Sequence, residues 1–160
     1  MNVKDIMSGG VVTCEADSTL DHVATCMKEH DVGLMPIVHE EKVVGVITDR
    51  DLVTRALADG GGPDKLVRDV ATPRIWSIRD RTDIADLAQV MKDKRVRRLI
   101  VTDQEDRPIG VVTLGDLAHH GDAALAGSVL EAISAPAAPQ RIDERTEALP
   151  AFARTVASPA

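Results

Sequence analysis

Two residue pairs in this 160-residue chain have types and spacing suited to holding a phosphorylated sugar: Thr48 with Asp51, and Thr113 with Asp116. They lie in near-copies of one octapeptide, GVITDRDL at 45–52 and GVVTLGDL at 110–117. In each copy an apolar run gives way to a helical pattern. A helix start presents unpaired N–H groups and the positive end of the helix dipole, and phosphate is stabilised there. A carboxylate one turn in has acceptor capacity only and can receive both hydroxyls of a ribose, each such bond being worth ~1.5–3 kcal/mol. A threonine hydroxyl can donate to a phosphate oxygen or to the sugar. The same Thr-x-x-Asp spacing is also a capping box. Ser18 and Asp21 have that form with no ligand role assigned, so the residues alone leave both readings open.

Other constellations are weaker. His22, Cys26 and His30 recur at i, i+4 and i+8. Two ligands one turn apart can hold zinc, but a fourth ligand is missing, and solvent-exposed side chains are the simpler reading. His119 and His120 are neighbours on the chain and would not face one another on a helix. The sequence has no glycine-rich phosphate loop, no nucleophile elbow and no HExxH. No catalytic residues and no metal site are therefore assigned, and an enzyme is not expected.

Composition narrows the function classes. A net charge of −7 gives no general attraction for nucleic-acid phosphates. One Trp, one Phe and no Tyr argue against a base-stacking platform. Cys14 and Cys26 make no disulfide framework. No apolar run approaches the ~20 residues that span a bilayer, and MNVKDIMSGG lacks the features of a signal peptide. The expectation is a cytoplasmic protein that contacts neither membrane nor nucleic acid.

The elements that position the two pairs come as a repeat. A shift of 64 aligns VKDIM (3–7) with VRDVA (67–71), and STLDHVATCMKEHDV (18–32) with TDIADLAQVMKDKRV (82–96). It also aligns GLMPIV (33–38) with RRLIVT (97–102), after which the shift becomes 65 through one extra residue near 104–107. Each copy reads as a short strand (11–13, 75–78), a helix, two strands (34–38 and 43–48; 98–102 and 109–113) and a second helix. Leu20, Val23, Ala24 and Met27, and in the second copy Ile84, Leu87, Ala88 and Met91, have the i, i+3, i+4, i+7 spacing of a core-facing stripe. Ser18 and Thr82 are the expected N-caps. The strands are continuous apolar runs, as in strands covered on both faces. A further helix is expected at 123–134. The proline-rich segment 135–160 reads as a disordered tail. The expected units are 1–63, 64–134 and that tail.

The DIM opening, EHDVGLMPIV, GVITDRDL, VRRLIV and GVVTLGDL, in this order, resemble a tandem pair of CBS domains (a Bateman module) over residues 1–134, of the small stand-alone bacterial type. That resemblance implies an α+β fold of two β-α-β-β-α repeats related by a pseudo-two-fold axis. It implies two clefts that hold adenosine-containing ligands such as AMP, ADP, ATP, NAD or S-adenosylmethionine, and frequent pairing into a homodimer. It further implies ribose and phosphate roles for Thr48, Asp51, Thr113 and Asp116, and a phosphate contact for Arg50, whose counterpart is Gly115. Arg97 and Arg98 would reach phosphates across the central cleft. Val12, Thr13 and Ile37 would line the base pocket, with Trp76 either stacking on a base or filling the second cleft.

The resulting expectation is a regulatory adenine-nucleotide sensor. One alternative is a ligand-free scaffold for dimerisation and docking of an unidentified protein target. Another is a redox- or metal-responsive protein using the two cysteines and the histidines.

Overall fold

The computed structural model describes residues 1–72 and 75–135; the expected tail lies, from residue 136 on, outside them. The first half contains α1 (Leu20–His30), the antiparallel hairpin β2 (Leu34–His39) and β3 (Lys42–Thr48), and α2 (Asp49–Asp51), which widens into a π-helical stretch over Leu52–Leu57. The second half repeats this order. Its elements are β4 (Ser77–Arg79), α3 (Ile84–Lys94), β5 (Arg98–Thr102), β6 (Pro108–Thr113), α4 (Leu114–Asp116) with a π-helical stretch over Leu117–Gly121, and α5 (Ala123–Ser134). The mixed helix-and-strand fold is the one the repeat implies. No helix among the described residues is long and apolar enough to cross a membrane.

The two halves exchange their leading segments. β1 (Ser8–Gly9) pairs with β6, giving the sheet order β1-β6-β5-β4. Val3 and Ile6, from the turn ahead of β1, are buried among Leu87, Met91, Leu99 and Val112 of the second half. Thr72 bridges to Val46 of β3, and Val67 and Val70 are buried among Val23, Met35 and Ile47 of the first. The sequential halves expected at 1–63 and 64–134 therefore interlock, each core being completed by the segment that precedes the other repeat.

The helices form where the apolar spacing placed them, with corrections at their edges. The N-caps are Thr19 and Asp83, one residue later than expected. Residues 11–13 form no strand; the first sheet gains only a bridge between Cys14 and Ile37 at that edge. β3 is not covered on both faces, since Val44 is exposed, whereas β5 is buried from Leu99 to Thr102. Ala24 is exposed while its counterpart Ala88 is buried. The physical reason is α5: it packs on α3 and on the π-helical stretch that follows α4, burying Ala126 and Val129. The corresponding helices of the first half have no such cover among the described residues and leave Val53 57% and Leu57 69% exposed.

Candidate functional site

β3 ends and α2 begins at Thr48 because this residue holds extended backbone and caps the helix with its side chain. Thr48 Oγ1 accepts from Asp51 N at 3.2 Å. Asp51 Oδ2 accepts from Thr48 N at 3.0 Å and from Thr48 Oγ1 at 2.8 Å. Thr113 and Asp116 repeat this box, with the acceptor bonds to Asp116 Oδ2 both at 2.8 Å. The capping reading is thus realised at both junctions.

That box changes what the junction offers a ligand. The single hydroxyl proton of Thr48 is spent on Asp51, which leaves the hydroxyl as an acceptor and not the phosphate donor expected. Nor are the α2 amides open: Asp49 N donates to Gly33 O, Arg50 N to Asp49 Oδ1 and Asp51 N to Thr48 Oγ1. The expected helix-start phosphate site is therefore already filled by the protein's own acceptors. A phosphate at this junction depends on side-chain cations.

Asp51 keeps one oxygen outside the box. Its Oδ1 lies 3.5 Å from Arg55 Nε. Arg55 Nη1 donates to Thr72 Oγ1 at 2.8 Å and to Val70 O at 3.4 Å. Arg55 thus pins the α2 region to the crossing segment of the second repeat. Sequence reasoning missed this residue, although its i, i+4 relation to Asp51 was a readable signal.

Asp51 is 8% exposed, and it lines a cavity of about 260 Å³ between the halves. Thr48, Asp51 and Val46 form one wall; Trp76, Val96 and Ile100 of the second half form the other. A wider cavity of about 590 Å³ shares Leu34, Thr48, Val96 and Arg98 with it. Its rim carries Arg50, Arg95, Arg97 and Arg98 against one carboxylate, Asp49. The arrangement is an apolar slot with a buried acceptor that opens onto a cationic mouth.

The structure brings Thr48, Asp51, Arg50, Arg97 and Arg98 together around this slot. It places three of the expected residues elsewhere. Ile37 is buried in the first-half core, its Cδ1 3.2 Å from where a Cβ on Gly45 would stand. Val12 packs against the same core, and Thr13 is half-buried; none of the three lines the slot. Thr72 and Trp76 take the place expected of them, a direct result of the segment exchange. Trp76 therefore belongs to the first cleft, where Lys94 Nζ sits 4.4 Å from its ring centroid.

A second cleft of about 290 Å³ is lined by Thr113 and Val111, by Ser8 of the crossing segment, and by Asp31, Leu34 and Arg98. Asp116 does not line it. A larger cavity, about 680 Å³, is ringed by Glu15, Asp17, Glu40 and Glu41 and holds none of the expected site residues. Its carboxylates repel a phosphate, so size does not identify the site here.

Burial pushes the Cys14 thiol up from 9.0 to about 11, with a smaller push from Cys26. Cys26 Sγ lies 3.7 Å from His22 Nε2, and no group of three or more His, Cys, Asp or Glu able to hold a metal ion occurs among the described residues.

A sequence model of the CBS domain matches residues 3–58 and 67–122. The chain is similar to Hypoxic response protein 1 of Mycobacterium tuberculosis, at 35% identity over 119 residues, 73% of this chain and 82% of that protein. A crystal structure of Hypoxic Response Protein I with two coordinated zinc ions matches 75% of this chain and 98% of that one, at 34% identity and a TM-score of 0.68. The CBS domain pair of protein MJ0100, solved with 5-methylthioadenosine and S-adenosyl-L-methionine, matches 80% of this chain and 97% of that one, at 26% identity and a TM-score of 0.67. CBSX2, solved with AMP, matches 79% and 98% at 26% identity, with a TM-score of 0.62.

Proposed function

Because the chain belongs to the CBS-domain family, we propose that it is a regulatory module that binds an adenine nucleotide, AMP, ADP or ATP, in the Thr48–Asp51 slot and carries out no reaction of its own. The observation that carries this reading is the buried Asp51 on the wall of an inter-half cavity, with its Oδ1 outside the capping box. In the binding geometry we infer, the base lies between Val46 and the Trp76, Val96 and Ile100 wall. The ribose hydroxyls donate to Asp51 Oδ1 once Arg55 swings away, and the phosphates face the four arginines. Solved relatives holding AMP, 5-methylthioadenosine or S-adenosyl-L-methionine support an adenosine-containing ligand.

A ligand held by both halves stabilises their packing by its differential affinity for the bound arrangement, and that shift is the signal. With a single indole, Trp76, among otherwise aliphatic walls, the affinity expected is micromolar or weaker, about −8 kcal/mol or less favourable. Calorimetry with AMP, ATP, NAD and S-adenosylmethionine tests the reading beside Asp51→Ala. Loss of nucleotide binding by tenfold or more supports it; nucleotide heat unchanged in Asp51→Ala overturns the site.

The same reading includes a homodimer. The uncovered first-half helices, with Ala24, Val53 and Leu57 exposed, are the surface a second copy would cover, just as α5 packs on α3 and on the π-helical stretch of the second half. Sedimentation should show a dimer that Leu57→Asp converts to monomer; a monomeric wild type removes the assignment.

A further inference from the structure

Asp51 has one oxygen to offer a ligand, and in this structure that oxygen is taken. Thr48 N and Thr48 Oγ1 both donate to Oδ2, which fixes the carboxylate in place. Oδ1 then faces Arg55 Nε at 3.5 Å. The two partners differ in freedom. The Asp51 side chain is 11% exposed, the Arg55 side chain 50%. A half-solvated guanidinium returns its head to water at little cost, whereas the boxed carboxylate is held where it stands. Arg55 is therefore the partner that moves.

The other repeat holds Arg55 in position. Its Nη1 donates to Thr72 Oγ1 at 2.8 Å and to Val70 O at 3.4 Å. Thr72 is itself fixed to β3, its N donating to Val46 O at 3.1 Å and its O accepting from Val46 N at 3.2 Å. Thr72, Val46 and Asp51 all line the slot. The second repeat has the same Thr-Asp box without this contact. The counterpart of Arg55 is His120, and among the described residues no ion pair reaches Asp116. The fold thus forms the box without needing the guanidinium, which is an addition to the first repeat alone.

We propose that Arg55 is a latch that sets the selectivity of the slot for an intact ribose: it holds Asp51 Oδ1 in the unliganded protein, and only a ligand whose sugar hydroxyls donate to that oxygen displaces it. This deepens the nucleotide reading above, on which it rests. A latched site binds in proportion to the fraction of molecules unlatched, and a half-exposed ion pair keeps that fraction sizeable, so the latch weakens ribose binding by roughly fivefold. A sugar lacking both hydroxyls leaves the latch closed.

Calorimetry on the full chain tests this with two probes, ATP and 2′,3′-dideoxy-ATP, against the wild type, Arg55→Met and Arg55→Lys. Methionine keeps an apolar stem and removes the guanidinium. Arg55→Met should bind ATP roughly fivefold tighter and dideoxy-ATP no tighter, so that the preference for ATP widens. Arg55→Lys, which keeps a cation four residues from Asp51, should stay close to the wild type. In the wild type, ATP should shift the Arg55 Nε–H resonance in a nitrogen–proton correlation spectrum, and dideoxy-ATP should leave it in place; this readout needs no variant and so does not depend on how a variant folds. A preference for ATP that is unchanged or narrower in Arg55→Met, or a resonance indifferent to ATP, overturns the latch while leaving the nucleotide site standing. ATP bound by neither the wild type nor Arg55→Met overturns both readings.

Discussion

Asp51 performs two tasks with its two oxygens, and this separation can be measured. Oδ2 caps α2, while Oδ1 faces Arg55 and the slot. Asp116 performs the same capping task but does not line the second cleft. Asp51→Ala and Asp116→Ala should therefore lose similar stability, about 1 kcal/mol each as expected for a lost cap, whereas only Asp51→Ala should weaken nucleotide binding. Denaturant titration beside calorimetry checks both halves of this statement. Cys14 offers a second test at the same scale. Its thiol stays protonated in the folded protein up to about pH 11, against 9.0 for an ordinary thiol. Above pH 9 the unfolded chain therefore binds fewer protons than the folded one, and stability falls as pH rises toward 11. Chemical denaturation at pH 8 and pH 10.5 should show this loss in the wild type and a smaller one in Cys14→Ala. A thiol reagent at pH 8 should label Cys26 and leave Cys14 untouched until the protein is unfolded, because so little of Cys14 is thiolate.

At the level of elements, the β2–β3 turn is where the sequence disagrees with its own backbone. His39 pairs with Lys42, and the two residues between them, Glu40 and Glu41, both hold positive φ, 49° and 65°. A two-residue turn of this kind favours Asn-Gly, since a side chain in the left-handed region costs about 1–2 kcal/mol. Replacing Glu40 by Asn and Glu41 by Gly should raise stability by about 1 kcal/mol, seen as a Tm higher by roughly 3 °C. No turn signal marks Glu-Glu in the sequence, so this tight connection was not legible there. The helices were legible because apolar spacing is a local property: Leu20, Val23 and Met27, like Leu87, Ala88 and Met91, all reached a core. Their starts were not fixed locally. Ser18 and Thr19 are both good caps, and tertiary bonds decide between them. Leu20 N donates to Lys65 O, Ile84 N donates to Met1 O, and the Ser18 hydroxyl is taken by Glu15 N.

At the scale of the whole molecule, the doubled Thr-Asp motif was readable because it recurs, but the wall opposite it was not. Which segment faces Thr48 depends on the exchange that sends residues 67–72 into the first half and residues 3–9 into the second. A repeat read along one dimension cannot show that crossing, and so Thr72 and Arg55 escaped where Val12, Thr13 and Ile37 were expected, and Trp76, read as a base stack or a filling of the second cleft, stands in the first. The same crossing places one cation, Arg98, on the lining of both clefts and of the arginine mouth. Arg98→Leu gives both repeats the same residue at this position and removes that cation. On the nucleotide reading proposed above, this variant should bind ATP roughly fivefold more weakly, a loss of about 1 kcal/mol. Raising salt from 50 to 300 mM should narrow the difference between the two proteins, because attraction at an open mouth is screened. Calorimetry at both salt concentrations checks this, and equal ATP binding by both proteins would remove Arg98 from the phosphate path.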